Sequence, residues 1–515
     1  MQKMNRPLRI PHRSPRKSAA AQTLSPIRSK ESLDARRHAS REESRTHGVR
    51  IRSGGKDITM GIVDTDIQRR DFLRGAALGA LGILPLGALG GCSPQQSAAQ
   101  GSPAEDGQPA QAKKAVKDGA EPLTLAEVNE LRAELIDSKG DYACEDGTVI
   151  PAVYVKMRTL LDTIGSGIGS DVGDHSFDLV MHLFSEEEAQ ACLEMPRGVH
   201  FTAADFAVES GRDEAACLEL CEGLSSRGLL YRMRRGGVAH FSLIPQFHGI
   251  YEYNWTNYTE EWLGKHNAQM GADVKDQFYN SETMFYRTVP VDREIVANEE
   301  ILRYDDYERI IRSHTVLAVA TCQCRLTKQV LNTTSPDCDH PIETCLSTGE
   351  EAEFYIENGI GRQIDQEEAL AIIKRSVDAG MVIQCCYSKE SEVICSCHGD
   401  CCAILGSYVA LAPVADQYNV WTNISHYSLK HDKDACIKCG SCAERCPLFA
   451  ITMDDEGYPT VGMNCVRCGQ CGTVCPRGAR TLAQKDIESI PELPQTMLDD
   501  NNMKTEYRFR NNKIH

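Results

Sequence analysis

Eight cysteines near the C-terminus fall into two copies of one pattern. The first reads Cys436-x-x-Cys439-x-x-Cys442-x-x-x-Cys446-Pro447, the second Cys465-x-x-Cys468-x-x-Cys471-x-x-x-Cys475-Pro476. Every cysteine of the second copy follows its counterpart by 29 residues. Three thiolates separated by residue pairs wrap one side of a cubane iron–sulfur cluster. The fourth, ahead of a proline, points away and ligates the other cluster. The pattern therefore assigns Cys436, Cys439, Cys442 and Cys475 to one [4Fe-4S] cluster and Cys465, Cys468, Cys471 and Cys446 to a second. A zinc ribbon or a disulfide knot has no use for the repeated Cys-Pro ending.

This is the spacing of bacterial two-cluster ferredoxins, and it predicts such a domain over 426–485 with a tail over 486–515. The full chain of 515 residues is long enough for about three domains. Its 23 cysteines point to metal or redox chemistry more than to a disulfide scaffold.

The net charge of −17 is uneven, because residues 1–59 carry +10 and leave −27 on the remainder. An acidic body argues against nucleic acid as a partner. Residues 1–59 lack apolar periodicity and read as disordered, with translation starting at Met60. Arg69-Arg70-Asp71-Phe72-Leu73-Arg74 is followed by an apolar, glycine-rich stretch over 75–89 and by Leu89-Gly90-Gly91-Cys92. This layout over 60–92 resembles a twin-arginine export signal ending in a lipoprotein cleavage box, with Cys92 as the lipidated residue. The stretch is short for a membrane span. The twin-arginine route carries folded proteins, so clusters assembled in the cytoplasm could cross intact. The expected location is extracytoplasmic, held to the cell membrane by a lipid. Residues 93–122, rich in Ser, Ala, Gln, Gly and Pro, read as a flexible linker.

A helical and winged-helix-like unit is expected over 123–250. Ser185-x-x-Glu188 and Thr202-x-x-Asp205 are capping boxes, and Asp213 caps a third helix that ends at Gly228. Two strand-like runs follow around Arg235-Gly236-Gly237. The third helix is acidic and only the hairpin, with Arg232, Arg234 and Arg235, is basic, so the unit reads as a scaffold or docking surface. Residues 251–300 read as an aromatic connector, explained by interdomain packing.

A Cys-rich α/β domain is expected over 301–425. A short apolar run at 316–320 leads into Cys322-Gln323-Cys324-Arg325, then Cys338, His340 and Cys345. A helix is expected from Gln366 under an Asp365 cap, then Cys385-Cys386 and Cys395-Ser396-Cys397-His398-Gly399-Asp400-Cys401-Cys402. So many cysteines do not serve core packing. A further iron–sulfur cluster, a zinc site and disulfides all remain open. The reading groups Cys322, Cys324, Cys338 and Cys345 as one candidate set and Cys395, Cys397, Cys401 and Cys402 as another. His340 and His398 are candidate ligands or ordinary hydrogen-bonded histidines. Cys144, Cys192, Cys217 and Cys221 read as buried apolar residues.

Over 180–485 this order of parts resembles a family of uncharacterised 4Fe-4S dicluster proteins of anaerobic bacteria and archaea. Many relatives carry cysteines where this chain has His398 and Asp400, which bears on the central ligand set. The resemblance implies electron transfer. The overall expectation is an α+β multidomain protein: a two-[4Fe-4S] electron carrier working with a redox protein or a membrane oxidoreductase, ahead of a stand-alone enzyme. The alternatives are a reductase with its own catalytic centre, similar to corrinoid-dependent reductive dehalogenases, and a docking subunit of a membrane respiratory complex. The evenly duplicated motif departs from the dehalogenase pattern. Gly359-Ile360-Gly361 lacks the third glycine of a dinucleotide fingerprint, since Ile364 stands in its place.

Overall fold

A computed structural model describes residues 52–53, 56–57, 121–144, 146–169, 174–254, 259–267, 283–291, 303–335, 338–413 and 424–515. Arg69, Arg70, the 75–89 stretch and Cys92 lie outside them. No helix among the described residues is long and apolar enough to cross a membrane.

The first part is helical: α1 Leu125–Asp137, α2 Ala152–Asp162, α3 Asp174–Leu183, α4 Glu186–Leu193, α5 Ala203–Ser210 and α6 Glu214–Ser226. Side-chain caps open four of these, α1 under a Thr124–Glu127 capping box. Ser185 and Thr202 accept the backbone N–H of Glu188 and Asp205, whose carboxylates reach back to the cap, and Asp213 accepts from Ala216. Each cap satisfies an orphan N–H of the first helical turn. An antiparallel hairpin follows, β1 Tyr231–Arg235 and β2 Val238–Ser242. Gly236 and Gly237 make its turn at positive φ, 59° and 82°, where a side chain would be strained. The hairpin arginines are neutralised inside the chain. Arg232 and Arg234 pair with Glu222 and Glu357, and Arg235 pairs with Glu350. These bonds clamp the hairpin to the helix Gly349–Glu357.

The middle of the chain forms one six-stranded sheet: β3 Tyr286–Val289, β4 Leu317–Thr321, β5 Glu343–Thr348, β6 Gly361–Ile364, β7 Val382–Cys386 and β8 Val393–Cys397. Its order is β6-β4-β5-β8-β7-β3, and every neighbouring pair is antiparallel. Helices α7 Tyr307–Ser313, α8 Gln323–Val330, α9 Gly349–Glu357, α10 Gln366–Asp378 and α11 Ala403–Leu411 accompany it. Successive strand residues face opposite sides. In β4, Leu317 and Val319 join a core with Ile372 and Ile373 of α10, while Ala318 and Ala320 join the core of the helical part. With both faces covered, the strand reads as one apolar run. The stretch expected as a connector supplies β3, since Tyr286–Val289 pairs along β7. Its tyrosine, threonine and valine suit a pleated, buried edge.

The last part contains β9 Tyr427–His431, α12 Ser441–Glu444, β10 Ile451–Met453, β11 Pro459–Val461, α13 Gln470–Thr473 and β12 Arg480–Gln484. It is fastened to the sheet. Asp305 takes Arg287 of β3 at 2.8 Å and His426 at 2.7 Å, all buried. Gln470 donates to the carbonyls of Val377 and Met381.

Residues 486–515 depart from the expected tail. Met497–Arg510 forms α14 under a Thr496 capping box and packs on α1. Its Arg508 is fully buried and meets Asp162, also fully buried, at 2.8 Å. The polar composition of α14 hides this, because the buried face is satisfied by ion pairs and not by apolar burial. Removing one partner of a buried pair leaves an uncompensated charge. Arg508→Met is therefore expected to destabilise the fold by about 3–5 kcal/mol, read as a lower thermal-unfolding midpoint, with Asp162→Asn added to Arg508→Met recovering part of the loss.

Candidate metal centres

The duplicated motif folds as two copies of one turn. Lys438 and Arg467, just ahead of Cys439 and Cys468, take left-handed conformations with φ of 58° and 54°. Gly440 and Gly469 follow with φ of 80° and 87°, then α12 and α13. Each feature recurs at the same offset as the cysteines. A non-glycine residue at positive φ costs on the order of 1 kcal/mol. Paid twice in equivalent places, that cost turns each run of three thiols toward one point.

Cys436, Cys439, Cys442 and Cys475 line one cavity, and Cys446, Cys465, Cys468 and Cys471 line a second. Each cavity thus receives three thiols from one copy and the Cys-Pro thiol of the other. The backbone N–H groups of Ala450 and Ala479 donate to the sulfurs of Cys446 and Cys475, both at 3.2 Å. Such N–H···S bonds favour thiolate and tune a bound cluster. Burial pushes the Cys446 and Cys468 thiols up, and Cys471 up to about 12. Only a bound cation makes several thiolates affordable in so apolar a setting.

The central cysteines meet both within and across the two sets expected from the sequence. Strand register is one reason. Val393 faces Ser347 and Ile394 faces Leu346, so Cys395 comes opposite Cys345, with Cys397 two residues on along the same face. Cys345 is within hydrogen-bonding reach of Cys395, Cys395 of Cys397, Cys397 of Cys402, Cys402 of Cys324 and Cys324 of Cys322. Those six thiols form one continuous group. Cys322 and Cys402 stand at the N-caps of α8 and α11, where helix dipoles favour negative charge. Hydrogen bonds from Cys324 and Cys397 hold the Cys402 thiol well below its usual range, while Cys345 is pushed well up beside Cys395.

Cys338 leaves this group and meets Cys401. Donor atoms of Cys338, His340, Asp400 and Cys401 all lie within 4.8 Å of one another. The Cys401 hydrogen bond draws the Cys338 thiol down to about 6, against burial. Cys385 lies in the core beneath α10, and Cys386 contacts Met497. No disulfide joins the described cysteines.

Two buried groups that sequence reading passed over adjoin the six thiols. Gln384 pairs with Cys395 across the β7–β8 ladder, is fully buried, and neither carboxamide atom has a partner among the described residues. Arg325 is buried beside Cys322, Cys397 and Cys401 with no carboxylate ion pair among the described residues. A donor and a cation left over in a nest of thiols fit an anionic, sulfur-rich occupant. The signal in the sequence is the placement of Arg325 directly after Cys324.

A cavity of ≈ 350 Å³ lies beyond this network, lined among others by His200, Arg235, His248, Glu350 and Glu392. His248 contacts Glu351, which also accepts the Tyr253 hydroxyl at 3.0 Å. Burial opposes charge on His248, yet Glu252 and Glu351 outweigh it and push its pKa well up. Burial, with Glu351 nearby, raises Glu392 to about 8. The folded state thus favours protonated Glu392, and its ionisation costs stability as pH rises from the ordinary carboxyl range to about 8. Glu392→Gln is expected to gain about 1–3 kcal/mol at pH 8 and nothing near pH 4, as measured by denaturant unfolding at the two pH values.

Residues 419–480 match the 4Fe-4S dicluster domain family. No curated protein and no solved structure matches the chain. The C-terminal part of this mixed α/β chain is therefore a ferredoxin-type iron–sulfur domain.

Proposed function

We propose that this chain is an exported, membrane-anchored electron-transfer protein that carries two [4Fe-4S] clusters and serves an anaerobic respiratory oxidoreductase. A further cluster on the central thiols extends the relay. The observation that carries this reading is the junction between the two cysteine blocks. Gly399 donates its backbone N–H to the carbonyl of Pro447 at 2.9 Å, next to Cys446. The His398 ring lies edge-on to Phe449 at 5.8 Å. Cys397 and Cys402 share one apolar core with Cys442, Cys446, Cys465, Cys468 and Cys471. Closely spaced cofactors separated by packed protein are what a relay needs. Export and anchoring are supported by Arg69-Arg70 and Cys92 in the sequence. The winged-helix-like unit is a scaffold in this reading, because its basic hairpin is committed to the chain's own glutamates.

A second reading, a reductase with its own catalytic centre, is favoured by the cavity beside Glu392 and His248, which lies next to Cys345 through His248. Turnover of a small substrate, or a corrinoid in the purified protein, would bring that reading to the front. Co-purification of a membrane partner would favour a docking subunit.

Anaerobic purification with iron and sulfide counts and EPR tests the proposal. About eight irons with two interacting signals are expected from the ferredoxin domain, and about twelve with the central cluster. About four or fewer in well-loaded protein would sink the assignment. Cys475→Ala should remove about four irons and abolish the spin coupling. At the junction, a Cβ on Gly399 would lie 2.6 Å from the Pro447 carbonyl. Gly399→Ala should therefore keep the iron count and slow reduction of the central centre relative to the ferredoxin clusters in stopped-flow traces.

A further inference from the structure

We propose that Cys338, His340, Asp400 and Cys401 bind a single zinc ion, in a mononuclear site separate from the six-thiol group. The inference rests on reading the central block as metal-binding, and adds which residues hold which metal.

The geometry suits one small ion. The four donor atoms lie within 4.8 Å of one another, and tetrahedral zinc with bonds of about 2.0–2.3 Å needs donors roughly 3.3–3.8 Å apart. A small inward movement closes the site. The donors are two thiols, one imidazole and one carboxylate, a set that borderline zinc accepts and that calcium and magnesium avoid. His340 is largely buried, and its Nδ1 has no hydrogen-bond partner among the described residues. A buried ring nitrogen without a partner is costly unless something binds it.

Charge and outer contacts agree. A divalent ion with two thiolates and a carboxylate leaves one net negative charge. The Arg325 guanidinium, 3.9 Å from the Cys401 sulfur, can balance it. His398 holds the Asp400 carboxylate at 2.7 Å and orients it, the common arrangement behind a metal ligand. The His340 and His398 rings pack against each other at 4.3 Å between centroids, tilted by 42°. Beside its two sulfurs the site carries a nitrogen and an oxygen donor, His340 and Asp400. This moves the site from cluster chemistry toward a single ion. No sulfur of the four belongs to the continuous six-thiol chain, so both centres can be filled together.

The test uses the full chain, purified anaerobically from zinc- and iron-replete cells. Metal analysis should find about one zinc per chain, with an X-ray absorption shell of two sulfurs at about 2.3 Å and two nitrogen or oxygen atoms at about 2.0–2.1 Å. Cys338→Ala and His340→Ala should each lower zinc to near zero and leave iron and sulfide unchanged. Absence of zinc, an all-sulfur zinc shell, or variants that lose iron and keep zinc would each overturn the site. If the variants do not fold, the wild-type shell decides alone. The relay stands or falls separately. Zinc absent with about twelve irons sinks only the zinc site, and a two-sulfur zinc shell with about four irons or fewer sinks only the relay.

Discussion

Thiols crowded into an apolar interior cannot all ionise, and they cannot all stay protonated if they are to hold a metal. Several features of the chain's C-terminal two-thirds answer to that constraint. Cys402 is held low by its neighbours while Cys345 and Cys397 are pushed up. The protein places groups around these sulfurs that favour negative charge. Helix N-caps at Cys322 and Cys402, N–H donors at Ala450 and Ala479, and the guanidinium of Arg325 all favour negative sulfur. Metal binding and folding are commonly coupled in thiolate sites.

The rest of the architecture holds these sulfurs in place. The six-stranded sheet brings Cys345 opposite Cys395 and aims Cys397 to the same side. The buried Arg287–Asp305–His426 chain ties that sheet to the ferredoxin part, and Gln470 and Arg445 fasten the other side to Val377. Buried ion pairs contribute little net stability against an apolar alternative, but breaking one is costly. They therefore fix register between parts more than they add stability. The helical part and α14 close the remaining face, with Arg508 and Asp162 as their buried lock.

Local signals were legible wherever the physics is local. Ser185, Thr202, Asp213 and Asp365 cap the helices that their side chains predict, because a cap depends on residues three apart. The glycine turn of the hairpin is equally local. What escaped was decided at long range. Tyr286–Val289 reads as a connector until β7 offers it an edge. The 486–515 segment reads as a tail because α14 buries charge against charge, a pattern without apolar periodicity. The basic hairpin looks like a surface for partners until Glu222 of the preceding helix, and Glu350 and Glu357 from far along the chain, pair with it.

The cysteine sites divide in the same way. The eight ferredoxin cysteines are legible from spacing alone, because a short loop and a repeated offset leave few ways to surround two cubanes, and the family match covers that region. The central cysteines come from four separated segments, and no spacing rule relates them. The sheet register joins Cys345 to Cys395, and the turn after β8 sends Cys401 to Cys338 and Cys402 to Cys324. Sequence by itself determined that this chain handles iron and sulfur at its C-terminus, since the ligands of each motif are neighbours in the chain. Only the tertiary structure decided how the central thiols divide between a six-sulfur group and a mixed four-donor group, since their proximity is created by strand pairing between distant segments.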